Sequence, residues 1–203
     1  MKSSLFLLLL LITTVAYGQQ QTSNFSFEHW HKGYVILEGG DTLQGQIKYN
    51  LQADLVQFQD ENKIETYTAR KIVFLEIFDA VTKEYRRFFS LPYALQSGYK
   101  SPVFFELLAE GKMTLLSREN LEYRTYSSFY YYGSYTRLVL VHKYYLLDEN
   151  GEIKEFIGKR NDWLYAMGNK GEEVQKYAKA NKLDFDEKQD LTKIVAYYNS
   201  LFE

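Results

Sequence analysis

Between Tyr34 and Phe78, turn-forming residues recur so closely that no helix of ordinary length fits between them. Gly39-Gly40-Asp41, Asn50 and Asp60-Glu61-Asn62 divide this stretch into apolar-rich segments of strand length. Residues 34–37, 42–49, 54–59, 63–68 and 72–78 therefore read as five short strands. In the third, Val56 and Phe58 alternate with polar neighbours; in the fifth, Ile72, Phe74 and Glu76 alternate with Val73, Leu75 and Ile77. Five short strands at this spacing predict a small barrel.

The same stretch holds a glycine-rich run, and its chemistry is testable by spacing. From Gly40 the chain reads G-D-T-L-Q-G-Q-I, so Gln46 and Ile47 stand where a phosphate loop needs lysine and a hydroxyl residue. The alternation after Asp41 is that of a strand, which excludes a dinucleotide fingerprint, where a helix must follow. Gly39-Gly40-Asp41 is a hairpin turn, and Gly45 predicts a bulge or tight bend inside the second strand.

Strand patterning continues through 84–158. Tyr85 to Ser90 precedes Leu91-Pro92, which should break or edge the strand. Val103–Ser117 reads as a hairpin turning at Glu110-Gly111-Lys112, and Leu138–Phe156 as another turning at Asp148–Gly151. Apolar residues on both faces predict a sheet covered on both sides. After Gly158 the period becomes helical. Asp162 is placed to cap a short helix over 163–167, a second runs over 172–181, and Leu191, Ile194, Val195, Tyr198, Leu201 and Phe202 form the stripe of a third. Asp186 and Gln189 have capping-box spacing. The expected fold is α+β: an N-terminal SH3-like small β-barrel region (19–80), an antiparallel β region (81–158), and a cap of two or three C-terminal helices (159–203).

Two resemblances bear on this layout. "VILEGGDTLQGQI", "LVQF" and "IETYTARKIVFLEI" resemble the small SH3-like or Sm-like barrels of exported bacterial proteins over about residues 33–78. With "FFELLAEGKMTLL" and "DLTKIVAYYNSLF", the whole layout resembles uncharacterised exported proteins of Gram-negative bacteria, which have no activity to carry over.

The first eighteen residues read as a signal peptide. Met1-Lys2 is a positive start, Leu5–Ile12 an apolar run, and Ala16-Tyr17-Gly18 a small-residue cleavage site before Gln19. The run is shorter than the about 20 residues a membrane span needs, and with no cysteine in the chain a lipid cannot be attached to one. The expectation is an exported protein, periplasmic or secreted, with no transmembrane anchor after cleavage. Losing Lys2 with the leader takes the net charge from −2 to −3, which does not favour nucleic acid or an anionic membrane as partner.

The strongest functional lead is the tyrosine-rich stretch 123–137. Tyr126, Tyr130, Tyr131, Tyr132 and Tyr135, flanked by Arg124 and Arg137, are candidate binding residues for an envelope protein or a glycan, because tyrosine combines a large contact area with a polar tip. The plainer reading is a long hairpin covering the sheet. His29 and His31 would share a face if they lay on a strand, making a weak metal candidate in need of a third ligand; His142 is the only other histidine. Without cysteine or a G-x-S-x-G elbow, nucleophilic catalysis has no signature. Glu106 stands out in "VFFELL", where pairing with an arginine or an edge position is expected over a carboxyl with a raised pKa. The leading reading is a non-catalytic exported envelope protein acting through a binding surface, with no cofactor. A carbohydrate-binding module and a metal-dependent hydrolase are the alternatives.

Overall fold

The structure is a computed structural model, and it describes residues 25–61, 63–95, 98–128 and 133–202. A 3₁₀ turn at Ser26–Glu28 leads into ten strands: β1 (His31–Leu37), β2 (Thr42–Asn50), β3 (Leu55–Asp60), β4 (Lys63–Thr68), β5 (Ile72–Phe78), β6 (Tyr85–Tyr93), β7 (Ser101–Ala109), β8 (Thr114–Ser128), β9 (Gly133–Leu147) and β10 (Ile153–Phe156). Three helices follow: α1 (Arg160–Ala166), α2 (Gly171–Ala180) and α3 (Lys188–Ser200). The strands form one antiparallel sheet in the order β10-β9-β8-β7-β6-β5-β1-β2-β3-β4. The α+β class is as expected. No helix among the described residues is long and apolar enough to cross a membrane.

The expected SH3-like barrel is not formed as such. Its five strands are present, but the sheet stays open, and β4 pairs with β3 alone. What replaces ladder closure is a roll. Five strand steps separate β2 from β8, about 24 Å in a flat sheet. Yet the Tyr49 hydroxyl of β2 reaches both carboxylate oxygens of Glu119 on β8 at 3.2 Å. The roll encloses a core of Val35, Ile47, Val56, Phe58, Leu75, Ile77, Phe88 and Phe104, drawn from six strands.

Glycine permits the crowding inside the roll. Gly33 and Gly45 face each other across β1 and β2 in an unbroken register, so Gly45 marks a close approach and not the expected bulge. A Cβ at Gly33 would stand 2.1 Å from the Glu76 carbonyl oxygen, and one at Gly45 2.6 Å from that of Gln59. We expect Gly33→Ala to cost about 1–3 kcal/mol through overpacking. Gly39→Ala, which meets nothing within 4 Å, should stay within about 0.5 kcal/mol of wild type. Urea midpoints measure both, and equal midpoints for the two variants would refute the crowding argument.

β6 runs on through Leu91-Pro92, and of the expected break or edge the edge is what forms. Pro92 pairs opposite Pro102, beyond the last β5 pair (Phe74↔Phe89) and the last β8 pair (Glu106↔Ser117), so the missing N–H groups face no neighbouring strand. The sheet centre carries buried apolar side chains on both faces. One face carries a second core, in which Leu115, Met113 and Ala109 meet Trp163, Met167, Val174, Leu191, Ile194 and Val195 of the helical cap. The other face holds Val103, Phe105, Leu116 and Tyr145.

The helices start slightly earlier or later than their local signals. Asp162 acts from inside α1, accepting the Lys159 N–H at 2.8 Å, where the sequence placed it at the cap. α3 begins at Lys188 with Glu187 in the cap position, so the Asp186–Gln189 capping box does not form. Its stripe is buried at Leu191, Ile194, Val195 and Tyr198, while Phe202 is half exposed.

Candidate functional site

Strands β8 and β9 outrun their neighbours. The last β7 pair is Glu106↔Ser117 and the last β10 pair is Phe156↔Tyr144, so 118–128 and 133–143 are laddered only to each other. Where β8 leaves β7, the backbone of Phe104 would lose its partners. Asp54 Oδ1 accepts the Phe104 N–H at 2.8 Å, and Arg118 donates to the Phe104 carbonyl while pairing with Asp54 at 2.8 Å. The split is thereby stapled to the β2–β3 turn, and the hairpin beyond it projects as an arm.

Residues directly opposite in an antiparallel pair share a face. One face of the arm carries Arg124↔Arg137 and Tyr126↔Tyr135; the other carries Leu121↔Leu140, Tyr123↔Leu138 and Thr125↔Thr136. The Tyr126 and Tyr135 rings stack with centroids 5.5 Å apart, and the Arg137 guanidinium lies 4.6 Å over the Tyr126 ring. The arm does not cover the sheet: Tyr123 is 77% exposed and Tyr135 53%. Of the binding candidates, Arg124, Tyr126, Tyr135 and Arg137 come together on one face. Tyr130, Tyr131 and Tyr132 lie outside the described residues.

The histidine pair takes another form. His29 follows the 3₁₀ turn and is exposed, while His31 opens β1 and is buried. The His31 Nδ1 accepts the Ala80 N–H at 3.0 Å, so Nε2 carries the proton and donates to the Ser26 carbonyl at 2.7 Å. Both ring nitrogens are thus engaged within the protein. Among the described residues no group of three or more His, Cys, Asp or Glu is placed to hold a metal ion.

A buried ionic seam was read in the sequence at one residue, Glu106. On one face of β7, Phe104 belongs to the roll core and Leu108 to the helical core, and Glu106 lies between them. Arg86 meets Glu106 through two parallel bonds, Nε–Oε1 at 2.8 Å and Nη2–Oε2 at 2.7 Å. Its Nη2 also donates to Glu119 at 2.6 Å, and its Nη1 to Asp79 at 3.0 Å and to the Tyr49 hydroxyl. All five guanidinium hydrogens are therefore committed. Lys188 at the start of α3 donates to both oxygens of Glu106 at 2.7 Å, tying the helical cap to the sheet. Glu106 was legible as needing an arginine. The signal for Arg86 was its strand phase with Phe88, which places a cation on the core-facing side.

Beside the seam opens a cleft of about 340 Å³ lined by Arg86, Glu119, His142, Lys188 and the rim carboxylates Glu84, Glu187 and Asp190. The His142 Nδ1 is buried without a hydrogen-bond partner. Burial, then the nearby Lys188 charge, brings the His142 ring down to about 4. For Glu106, burial pushes the carboxyl up, but the Arg86 and Lys188 charges and hydrogen bonds overcome it and leave it at about 2. Asp79 is likewise raised by burial and then lowered to about 2 by hydrogen bonds from Ser26, Val81, Arg86 and Thr82.

The linkage sign is the same for all three groups, whose folded values lie below their unfolded ones. The stability they confer is complete above the unfolded values and is lost as pH falls through the folded ones. His142 therefore contributes a loss between about 6.5 and about 4. The two carboxylates contribute a further loss from about 4 down to about 2. Urea midpoints across pH 7 to 2 should show this graded decline. His142→Phe should flatten its upper part, and an unchanged upper part in that variant would refute the assignment.

No family model, curated protein or solved structure matches this chain.

Proposed function

We propose that this chain is a non-catalytic exported protein of a Gram-negative envelope, periplasmic or secreted, and that it acts through the projecting β8–β9 arm. The observation that carries the reading is the exposure of aromatic and cationic side chains on a hairpin that no element covers among the described residues. A two-stranded ribbon alone is marginally stable in water, so extending one while leaving Tyr123, Tyr135 and Leu138 exposed contributes little to the fold. The charged groups of the buried seam are committed to one another: Arg86 has no donor to spare, and Lys188 is held by Glu106. The arm presents aromatic and cationic side chains that the fold does not use.

A photo-cross-linking residue placed at position 135 in cells, with one at the exposed turn position 39 for comparison, tests this. Position 135 should link reproducibly to one envelope component, and position 39 should not. Tyr126→Ala or Arg137→Gln, combined with the cross-linker at 135, should reduce the link severalfold. The melting temperature should stay within about 2 °C of the parent, since these are surface substitutions. Equal labelling from both positions, or none from 135, would remove the arm from consideration.

A further inference from the structure

The outer ladder of the arm carries an electrostatic arrangement that the fold by itself does not favour. Arg124 and Arg137 stand directly opposite each other on adjacent strands, and like charges in that position repel. No acidic residue occurs between them in the chain. Among the described residues, the one carboxylate in ion-pair range of either is Glu122, 3.9 Å from Arg124, with both side chains about half exposed. Such a contact is too long and too wet to cancel the pair. Arg137 is also held in place by lying over the Tyr126 ring, which reduces the freedom lost when a ligand binds.

Next to this pair lies Tyr135, stacked against Tyr126 on one side and 53% exposed. The same face thus offers two guanidinium forks and a flat aromatic ring within one strand repeat. Guanidinium forks match planar or tetrahedral oxyanions, and an exposed ring accepts the apolar face of a sugar. An acidic peptide would satisfy the charges, but peptide recognition also needs pockets for anchoring side chains. Among the described residues this face is a ladder of largely exposed side chains.

We infer that the Arg124–Tyr126–Tyr135–Arg137 face takes an oxyanion carried on a sugar, the carboxylate or phosphate of an anionic glycan. The inference rests on the arm being the binding surface and names what it binds. The two arginines grip the oxyanion, Tyr135 supports the sugar ring, and Tyr126 fixes Arg137. The net charge of the chain, −2, does not oppose this, because an exposed pair acts over about a Debye length, near 8–10 Å in physiological salt.

The test uses the full mature chain in titrations with polygalacturonate and with a phosphomannan. Fully methyl-esterified polygalacturonate, which keeps the sugar and loses the charge, is one control. Polyglutamate, which keeps the carboxylates and loses the sugar, is the other. Wild type should bind at least one charged glycan, more weakly as salt rises, and should bind both controls at least about tenfold more weakly. Arg124→Gln/Arg137→Gln should weaken glycan binding about tenfold or more. Its melting temperature should be equal or slightly raised, since a repulsive pair has gone.

Three results would overturn the inference: no binding to either charged glycan, unchanged binding by the double variant, or polyglutamate binding as tight as the glycans. The in-cell cross-link at position 135 separates this failure from that of the broader reading. Where glycan binding fails, a link from 135 that Tyr126→Ala still reduces leaves the arm as the binding surface and removes the glycan. Loss of glycan binding together with no link from 135 removes both.

Discussion

Arg86→Met should cost about 3–5 kcal/mol, the range for removing one partner from a buried ion pair. Methionine nearly preserves the volume, so the loss is electrostatic. The substitution leaves Asp79, Glu106 and Glu119, at 0, 3 and 6% exposure, without their shared cation. Lys188 still neutralises Glu106, but Asp79 and Glu119 lose their bonds to the guanidinium. Arg86→Lys should recover only part of the loss, because an ammonium has three donors and cannot reproduce the two parallel bonds to Glu106. Adding Glu119→Gln to Arg86→Met should restore about 1 kcal/mol or more by removing an uncompensated carboxylate, a coupling of the size expected within one network. Urea denaturation at neutral pH measures these differences. A loss below about 1 kcal/mol for Arg86→Met would mean that the seam contributes little to stability.

Trp163→Ala should be comparably damaging, at about 3–5 kcal/mol. The indole is 2% exposed, stacks on Phe156 of the edge strand β10 at 3.8 Å, and meets Tyr144 edge-on at 6.1 Å. It is the point where α1 grips the sheet, so its removal opens a cavity and loosens the cap together. Trp163→Phe should lose much less, since a ring can still stack on Phe156. Circular dichroism is the appropriate probe, because the chain has only two tryptophans and the substitution removes one of them. If alanine and phenylalanine cost the same, the stack on Phe156 is not what holds the cap.

The strands were readable because alternation and turn chemistry are local. Gly40, with φ of 92°, accounts for the first hairpin turn from four residues of sequence. Closure of the N-terminal region was not readable, because it depends on Tyr49 meeting Glu119, seventy positions later. The barrel expectation assumed that five strands would complete a ladder among themselves, and the roll instead uses β6, β7 and β8. The arm was half legible. The tyrosines and arginines marked it, but the sequence did not tell a covering hairpin from a projecting one, since that turns on where β7 and β10 stop pairing. For His29 and His31, the shared-face argument required a strand through both, and a 3₁₀ turn ends at Glu28 with β1 beginning only at His31. Glu106 was legible as a carboxylate out of place among apolar neighbours. Its partners, Arg86 and Lys188, lie 20 and 82 positions away, and no local pattern links them.

Strand β7 has a consequence for how the molecule comes apart. Because Phe104 serves one core, Leu108 the other, and Glu106 the charged contact between them, neither core can melt without disturbing the same nine-residue strand. The regions either side of residue 80, and the helices after 158, are thus thermodynamically coupled and should behave as one cooperative unit. The outer arm, laddered to itself beyond Ser117 and Tyr144, stands outside it and can take a ligand without drawing on the stability of the rest.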